Sequence, residues 1–133
     1  MKKTIATCLL LILILSCALS FVACTDNTDP IVGKYYRTVS GSKYDSAYFI
    51  VRKDGTATIY WCNNVSSIVC EQDDYSSWTL EKETGIYSFS GRRGQSSPET
   101  WTLVDGNLQD PKVEQHKYIR ISDSDWPDYI SEK

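Results

Sequence analysis

A single imidazole at His116, two thiols at Cys62 and Cys70, and two acidic clusters are the residues of this 133-residue chain best suited to catalysis or metal binding. An acid–base or nucleophilic site needs at least two such groups held together. His116 stands beside Lys117 with no partner at a recognisable spacing, and it reads as a solvated strand-end residue. Two cysteines and one distant His do not assemble the four ligands of a structural zinc. A redox motif would set the two thiols closer. Glu71, Asp73 and Asp74 follow Cys70, and Asp123, Asp125 and Asp128 lie near the C-terminus. Either set could attract calcium, yet the second lacks the Gly and the terminal bidentate Glu of an EF-hand loop. Both read as solvated loops, so no catalytic residue, metal or cofactor is expected.

The remaining cysteines point to export. Lys2 and Lys3 precede an apolar run from Cys8 through Ala23, broken by Ser16 and Ser20, a secretory signal pattern whose alternative is an uncleaved anchor. Phe21-Val22-Ala23-Cys24 resembles the bacterial lipobox, in which a small residue precedes a Cys that is lipidated on its thiol and becomes the new N-terminus; Phe21 stands where Leu is usual. Ile14-Leu15-Ser16-Cys17 is a weaker match. With Cys8 and Cys17 in the leader and Cys24 lipidated, Cys62 and Cys70 are left as one pair in the folded part. An exported pair oxidises, and the bridge would staple a short polar excursion, residues 63–69. Asn64-Val65-Ser66 has the form of a glycosylation sequon, which a bacterial leader makes accidental.

Cleavage before Cys24 removes 23 residues, two basic and none acidic, leaving 110 with 12 basic and 17 acidic side chains, a net charge of -5. That balance is a poor fit to nucleic acid. Residues 1–23 are thus expected to be a lipoprotein signal peptide, helical in its apolar run. Residues 24–30 form a lipidated Cys and polar tether, 31–122 a β-domain, and 123–133 a tail or short capping helix over one end. The destination is a bacterial cell envelope, with inner and outer membrane both open.

The elements that must position these groups are short strands. Phe49 and Val51 alternate with Tyr48 and Arg52, and Ile59 and Trp61 alternate with Thr58 and Tyr60, across Lys53-Asp54-Gly55. Asp-Gly between alternating runs signals a hairpin. Asp105-Gly106-Asn107 repeats it between Trp101-Thr102-Leu103-Val104 and Leu108. Further strands are read at 32–38, 76–81, 85–90 and 117–122, with a turn at Glu83-Thr84-Gly85. The expected fold is all-β, an antiparallel up-and-down meander of seven to eight short strands closing as a barrel or sandwich.

The order of these features resembles the small bacterial lipocalin-like lipoproteins. The matching pieces are Gly33-Lys34-Tyr35, Phe49 through Lys53-Asp54-Gly55-Thr56, Trp78-Thr79-Leu80, Tyr87-Ser88-Phe89 and Tyr118-Ile119-Arg120. The lipocalin first-strand motif carries Trp packed against an Arg of the last strand, so the resemblance implies a strand-closing pair of Tyr35 with Arg120. It implies architecture more than activity.

Fifteen aromatic residues lie beyond the leader. Phe49, Val51, Ile59, Trp61, Trp78, Leu80, Tyr87, Phe89, Trp101, Leu103, Ile119 and Ile121 are placed inside. A barrel of about eight strands is either filled or holds one small ligand, and so many rings on short strands favour filling. Tyr36, Tyr44, Tyr48, Tyr60, Tyr75 and Tyr118 are placed outside as a contact face. The basic pair Arg92-Arg93 is placed at a flexible loop tip, residues 91–98. The function expected is non-catalytic binding of a protein partner through that face or loop. The alternative is a small apolar ligand among Trp61, Trp78 and Trp101. The lipid on Cys24 would supply the membrane contact.

Overall fold

The computed structural model describes residues 28–64 and 67–132. The expected signal segment, the expected lipidation site Cys24 and the sequon residues Val65 and Ser66 lie outside these. The described chain is all-β, with nine strands: β1 (Gly33–Thr38), β2 (Ser46–Val51), β3 (Ala57–Asn63), β4 (Val69–Tyr75), β5 (Ser77–Glu81), β6 (Ile86–Ser90), β7 (Glu99–Val104), β8 (Asn107–Gln109) and β9 (Lys117–Ile121). They pair antiparallel in the order β4-β3-β2-β1-β9-β8-β7-β6-β5, a meander curled into a nearly closed barrel.

Eight antiparallel steps separate β4 from β5 around the sheet, so the two run in the same direction. Only Ser76 lies between them. They are halves of one bent strand, the first paired with β3 and the second with β6. Nine elements therefore occupy eight positions of an up-and-down barrel. The bend leaves a seam, which side chains and loops bridge. Trp78 donates its backbone N–H to Gly55 O at 2.8 Å and its indole N–H to Arg52 O at 3.0 Å. Higher up, Ser76 Oγ donates to Ser90 O at 3.5 Å. Gly91 is required here: a Cβ on it would meet Ser76 Oγ at 1.8 Å and the Ser76 backbone N at 3.2 Å.

Glu71, Asp73 and Asp74, expected in a loop, lie instead in strand β4. Val69-Cys70-Glu71-Gln72-Asp73-Asp74-Tyr75 pairs residue for residue with Asn63 back to Ala57. Its polar composition suits a strand at the seam, where charge discourages pairing with another chain. Strand alternation then splits the acids, with Asp73 facing the interior beside Tyr75 and Asp74 facing out. Among the described residues no three His, Cys, Asp or Glu side chains are grouped to hold a metal.

Both Asp-Gly hairpins form. Val51 pairs with Ala57 around residues 52–56, and Asp54 Oδ1 accepts from the Thr56 backbone N–H at 2.9 Å and hydroxyl at 2.7 Å. Val104 pairs with Asn107. The two residues between them, Asp105 and Gly106, have φ of 51° and 80°, as a type I′ turn demands.

The last strand faces the other way from its expected placement. Tyr118 is 1% exposed and inside, whereas Ile119 is 48% exposed. Arg120 points to the interior side, and Ile121 packs with the outer cluster. A shift of one residue turns every side chain of a strand to the opposite face, and the inward Arg120 fixes this one. Tyr75 is likewise buried inside.

The C-terminal residues also differ from expectation. A single 3-10 turn, Asp123–Asp125, precedes Trp126, and the segment lies on the outer sheet face instead of over an end. Trp126 and Ile130 pack with Ile50, Tyr60 and Cys62. The indole meets Tyr48 and Tyr60 edge-on at 5.8 and 5.9 Å. Lys34 Nζ lies over the indole at 5.0 Å and pairs with Asp123 at 3.0 Å and with Glu132. Two of the six tyrosines expected to face outward, Tyr48 and Tyr60, are thus covered by the chain's own tail.

Candidate functional site at the open rim

The two ends of the barrel differ in kind. At one end lie the tight turns 52–56, 82–85 and 105–106, together with the incoming residues 28–32; at the other lie the longer loops 39–45, 64–68, 91–98 and 110–116. Loops held on a rigid scaffold are where binding residues concentrate.

The first end is closed. Ile31 is fully buried in the core cluster, and its carbonyl accepts from Tyr35 Oη at 2.6 Å. Asp29 Oδ1 accepts from the Ile31 backbone N–H at 3.0 Å and from Tyr87 Oη at 2.7 Å. Tyr35 faces Arg120 in the β1–β9 register. Arg120 Nη2 donates to Tyr35 Oη at 2.6 Å and to Pro30 O, Nη1 to Val32 O at 3.1 Å, and Nε to Gly106 O at 3.1 Å. The guanidinium carbon sits 5.0 Å from the Tyr35 ring centre. A Cβ on Gly33 would come within 2.7 Å of Arg120 Nη1, so glycine there admits the side chain. Burial pushes the Tyr35 hydroxyl up to about 12, with the Arg120 charge and hydrogen bond pulling the other way.

The middle is filled with rings. Phe49, itself fully buried, has the ring centres of Phe89, Tyr118 and Tyr75 at 5.1, 5.5 and 5.9 Å. Aromatic pairs at such tilted geometries stabilise beyond their buried area.

The second end is polar inside. Trp61 Nε1 donates to Asp73 Oδ2 at 3.1 Å, and Arg92 Nη1 approaches the same oxygen at 3.5 Å. Arg92 also lies over the Tyr75 ring at 5.6 Å. The Tyr75 hydroxyl donates to Glu99 Oε2, and Trp101 Nε1 donates to Glu99 Oε1 at 3.0 Å. Burial first, and then the Glu99 charge, push the Tyr75 hydroxyl far above the ordinary tyrosine range. Arg37 lies over the Tyr118 ring at 5.1 Å. On the rim itself Tyr44 tilts against Trp61 at 6.1 Å, Lys43 pairs with Glu71 at 2.6 Å, and His116 Nδ1 lies 3.6 Å from Asp110 Oδ2.

Several expected site residues change place. Arg92 turns inward to Asp73, while its neighbour Arg93 stays exposed. The 91–98 loop is tied down, Gln95 Nε2 donating to Phe89 O at 3.0 Å and Gln95 Oε1 accepting from the Arg92 N–H at 3.2 Å. Trp61, Trp78 and Trp101 do not gather around one space. Trp61 stands at the rim, Trp101 packs edge-on to Tyr118 at 5.1 Å, and Trp78 lies on the seam against Tyr87 at 6.0 Å. Cys62 and Cys70 face each other across β3 and β4 as a disulfide with Cα atoms 4.1 Å apart, bracing the 64–68 loop. Arg37 and Glu99 escaped the sequence reading. Their signal was position, a charge on the inward side of a strand end.

No protein-family model, curated protein or solved structure matches the chain.

Proposed function

We propose that this chain is an exported bacterial lipoprotein with a lipocalin-like barrel, held to a cell-envelope membrane by lipid on Cys24. In this reading it is a non-catalytic binding module that docks a protein partner through its open rim. The observation that carries the reading is the filled interior. Phe49, Phe89, Tyr75 and Tyr118 occupy the middle of the barrel ring against ring, and Ile31 with Arg120 closes one end, so contact with other molecules falls to the surface. Other surfaces are partly engaged: Tyr48 and Tyr60 of the tyrosine face lie under Trp126, and the closed end receives the tether. The rim is left, with its longer loops and half-buried Tyr44, Trp61 and Arg92.

The tether supports the same orientation. Residues 25–30 reach roughly 20 Å when extended, and the chain enters at the closed end, so the rim faces away from the membrane. The non-catalytic reading is supported by the two inward acids of the rim end, which are committed to hydrogen bonds inside the barrel: Asp73 to Trp61, and Glu99 to Tyr75 and Trp101.

The test is position-specific photocrosslinking of the full-length protein in its own envelope. A crosslinking side chain at Arg93 or Lys112 on the rim is expected to capture a defined partner, and one at Lys82 on a closed-end turn is not. Equal capture from Lys82, or none from the rim, would overturn rim docking.

A further inference from the structure

The outer face of β1, β2 and β9 carries a groove beside the closed end. Lys34 pairs with Ile50 on one side and with Ile121 on the other, so the three side chains form one row with the lysine between two apolar neighbours. Arg52 and Lys53, at the start of the hairpin turn, border the row, and Asp123 at the start of the tail forms a further wall. The groove encloses about 600 Å³, a size suited to a small ligand.

Its charge runs against that of the whole chain. Lys34, Arg52, Lys53 and Arg120 line it against the single acid Asp123, a third of the twelve bases that follow Ala23 in a sequence where acids outnumber them. Lys34 answers that acid, with Nζ 3.0 Å from Asp123, and also pairs with Glu132. The two arginines bond instead to uncharged groups. Arg52 Nη1 donates to Thr58 Oγ1 at 2.9 Å, and Arg120 donates to three carbonyls and the Tyr35 hydroxyl. Among the described residues neither arginine is ion-paired to a carboxylate. Asp54, next along the hairpin, is turned onto Thr56. The groove therefore keeps a net positive charge over an apolar floor, which complements an anion that carries carbon with it.

Its place in the chain names the occupant. Val32 and Gly33, just after the tether, line the groove, and residues 25–30 reach roughly 20 Å from a lipidated Cys24. We propose that the groove binds the headgroup of an anionic phospholipid of the anchoring membrane, with the phosphate held by Arg52 and Lys53 in the field of Arg120 and the glycerol carbons resting on Ile50 and Ile121. This rests on the lipid-anchored reading and adds a second membrane contact to it. One lipid chain gives only marginal anchoring and a basic patch supplements it. A free phosphate would gain the charge contact but leave the apolar floor in water.

The test is a titration of the full-length protein, purified from its envelope in a neutral detergent, followed by NMR of the Ile50 and Ile121 methyl groups. The probes are dihexanoyl phosphatidylglycerol, dihexanoyl phosphatidylcholine and glycerol 3-phosphate. Phosphatidylglycerol is expected to shift both methyls saturably, and the other two to leave them unmoved. Arg52→Gln, and independently Lys53→Gln on the exposed turn, should each weaken binding about five-fold, the worth of one basic side chain at an anionic lipid surface. Lys117→Gln, at the rim end of β9, should not. Equal shifts from phosphatidylcholine or glycerol 3-phosphate, no shift from phosphatidylglycerol, or undiminished binding by both groove variants would overturn the site. The intact mass of the same preparation reports the lipid on Cys24. A lipidated chain that ignores phosphatidylglycerol would overturn the groove and leave the anchor standing; an unlipidated chain that binds it would uphold the groove and remove the anchor.

Discussion

Replacing Tyr35 by Phe removes one oxygen from the closed end and leaves the ring in place. That oxygen donates to the carbonyl of buried Ile31 at 2.6 Å and accepts from Arg120 Nη2 at 2.6 Å. Arg120 keeps its bonds to Pro30, Val32 and Gly106, so the uncompensated group is the Ile31 carbonyl. Stranding a buried acceptor costs about 1–3 kcal/mol, and a hydrogen bond to a charged group is worth about 1.5–3 kcal/mol. Some of each is recovered by relaxation, so Tyr35→Phe should cost about 2 kcal/mol. For a domain near one hundred residues that lowers Tm by roughly 8–16 °C. Arg120→Lys keeps the charge but cannot reproduce a fork that reaches three carbonyls, and a comparable loss is expected. Because the two substitutions share one hydrogen bond, the double variant should lose about 1 kcal/mol less than the sum of the singles. Urea denaturation of the four proteins, read by tryptophan fluorescence, measures this. Strict additivity, or a Tyr35→Phe variant as stable as the parent, would refute the closed-end reasoning.

Reducing the Cys62–Cys70 bridge frees a loop with a sequence separation of 8. Chain-entropy loss then gives about 2.5 kcal/mol of destabilisation, checked by denaturation with and without reductant. Phe49→Ala should cost about 3–5 kcal/mol and open a dry apolar cavity, so that indole raises the Tm of the variant and leaves the parent unchanged. Alkali should unfold the barrel cooperatively. Burial raises the pKa of Tyr35, Tyr75, Tyr87 and Tyr118 above the ordinary value of 10.0, so the folded state holds protons that the unfolded state releases. The stability from these shifts is whole below pH 10 and falls as pH rises through the Tyr35 value of about 12. Ionisation of Tyr35, Tyr75, Tyr87 and Tyr118 near pH 10, with no loss of structure, would contradict this.

The barrel was legible where local rules and the fold agree. Asp54-Gly55 and Asp105-Gly106 sit between alternating apolar runs, and each turn carries its own chemistry, the Asp54 carboxylate on Thr56 and the positive φ of Asp105. Strand β4 was hidden because its residues are polar on both faces. It is held by its register with β3, by the disulfide and by Asp73 meeting Trp61 and Arg92, contacts made with residues distant in sequence. In β9 two expectations conflicted: pairing Tyr35 with Arg120 puts Arg120 inside, whereas an apolar alternation puts Ile119 and Ile121 there. Only one could hold, and five contacts of the guanidinium outweigh the burial of two isoleucines on a strand whose outer face is partly covered by Trp126. That same cover explains the tyrosines, since Tyr48 and Tyr60 do face outward but meet the tail before solvent. Arg37 and Glu99 could not be found from spacing, because the polar interior of the rim end exists only once the strands have closed.

The proposed action of a filled barrel through its rim is tested most directly by native mass spectrometry of the protein, released gently from the proposed membrane anchorage. The expected result is the mass of the chain with the proposed lipid on Cys24 and no apolar adduct inside the barrel. A stoichiometric apolar molecule that departs only on denaturation would contradict the filled interior and return the protein to ligand carriage.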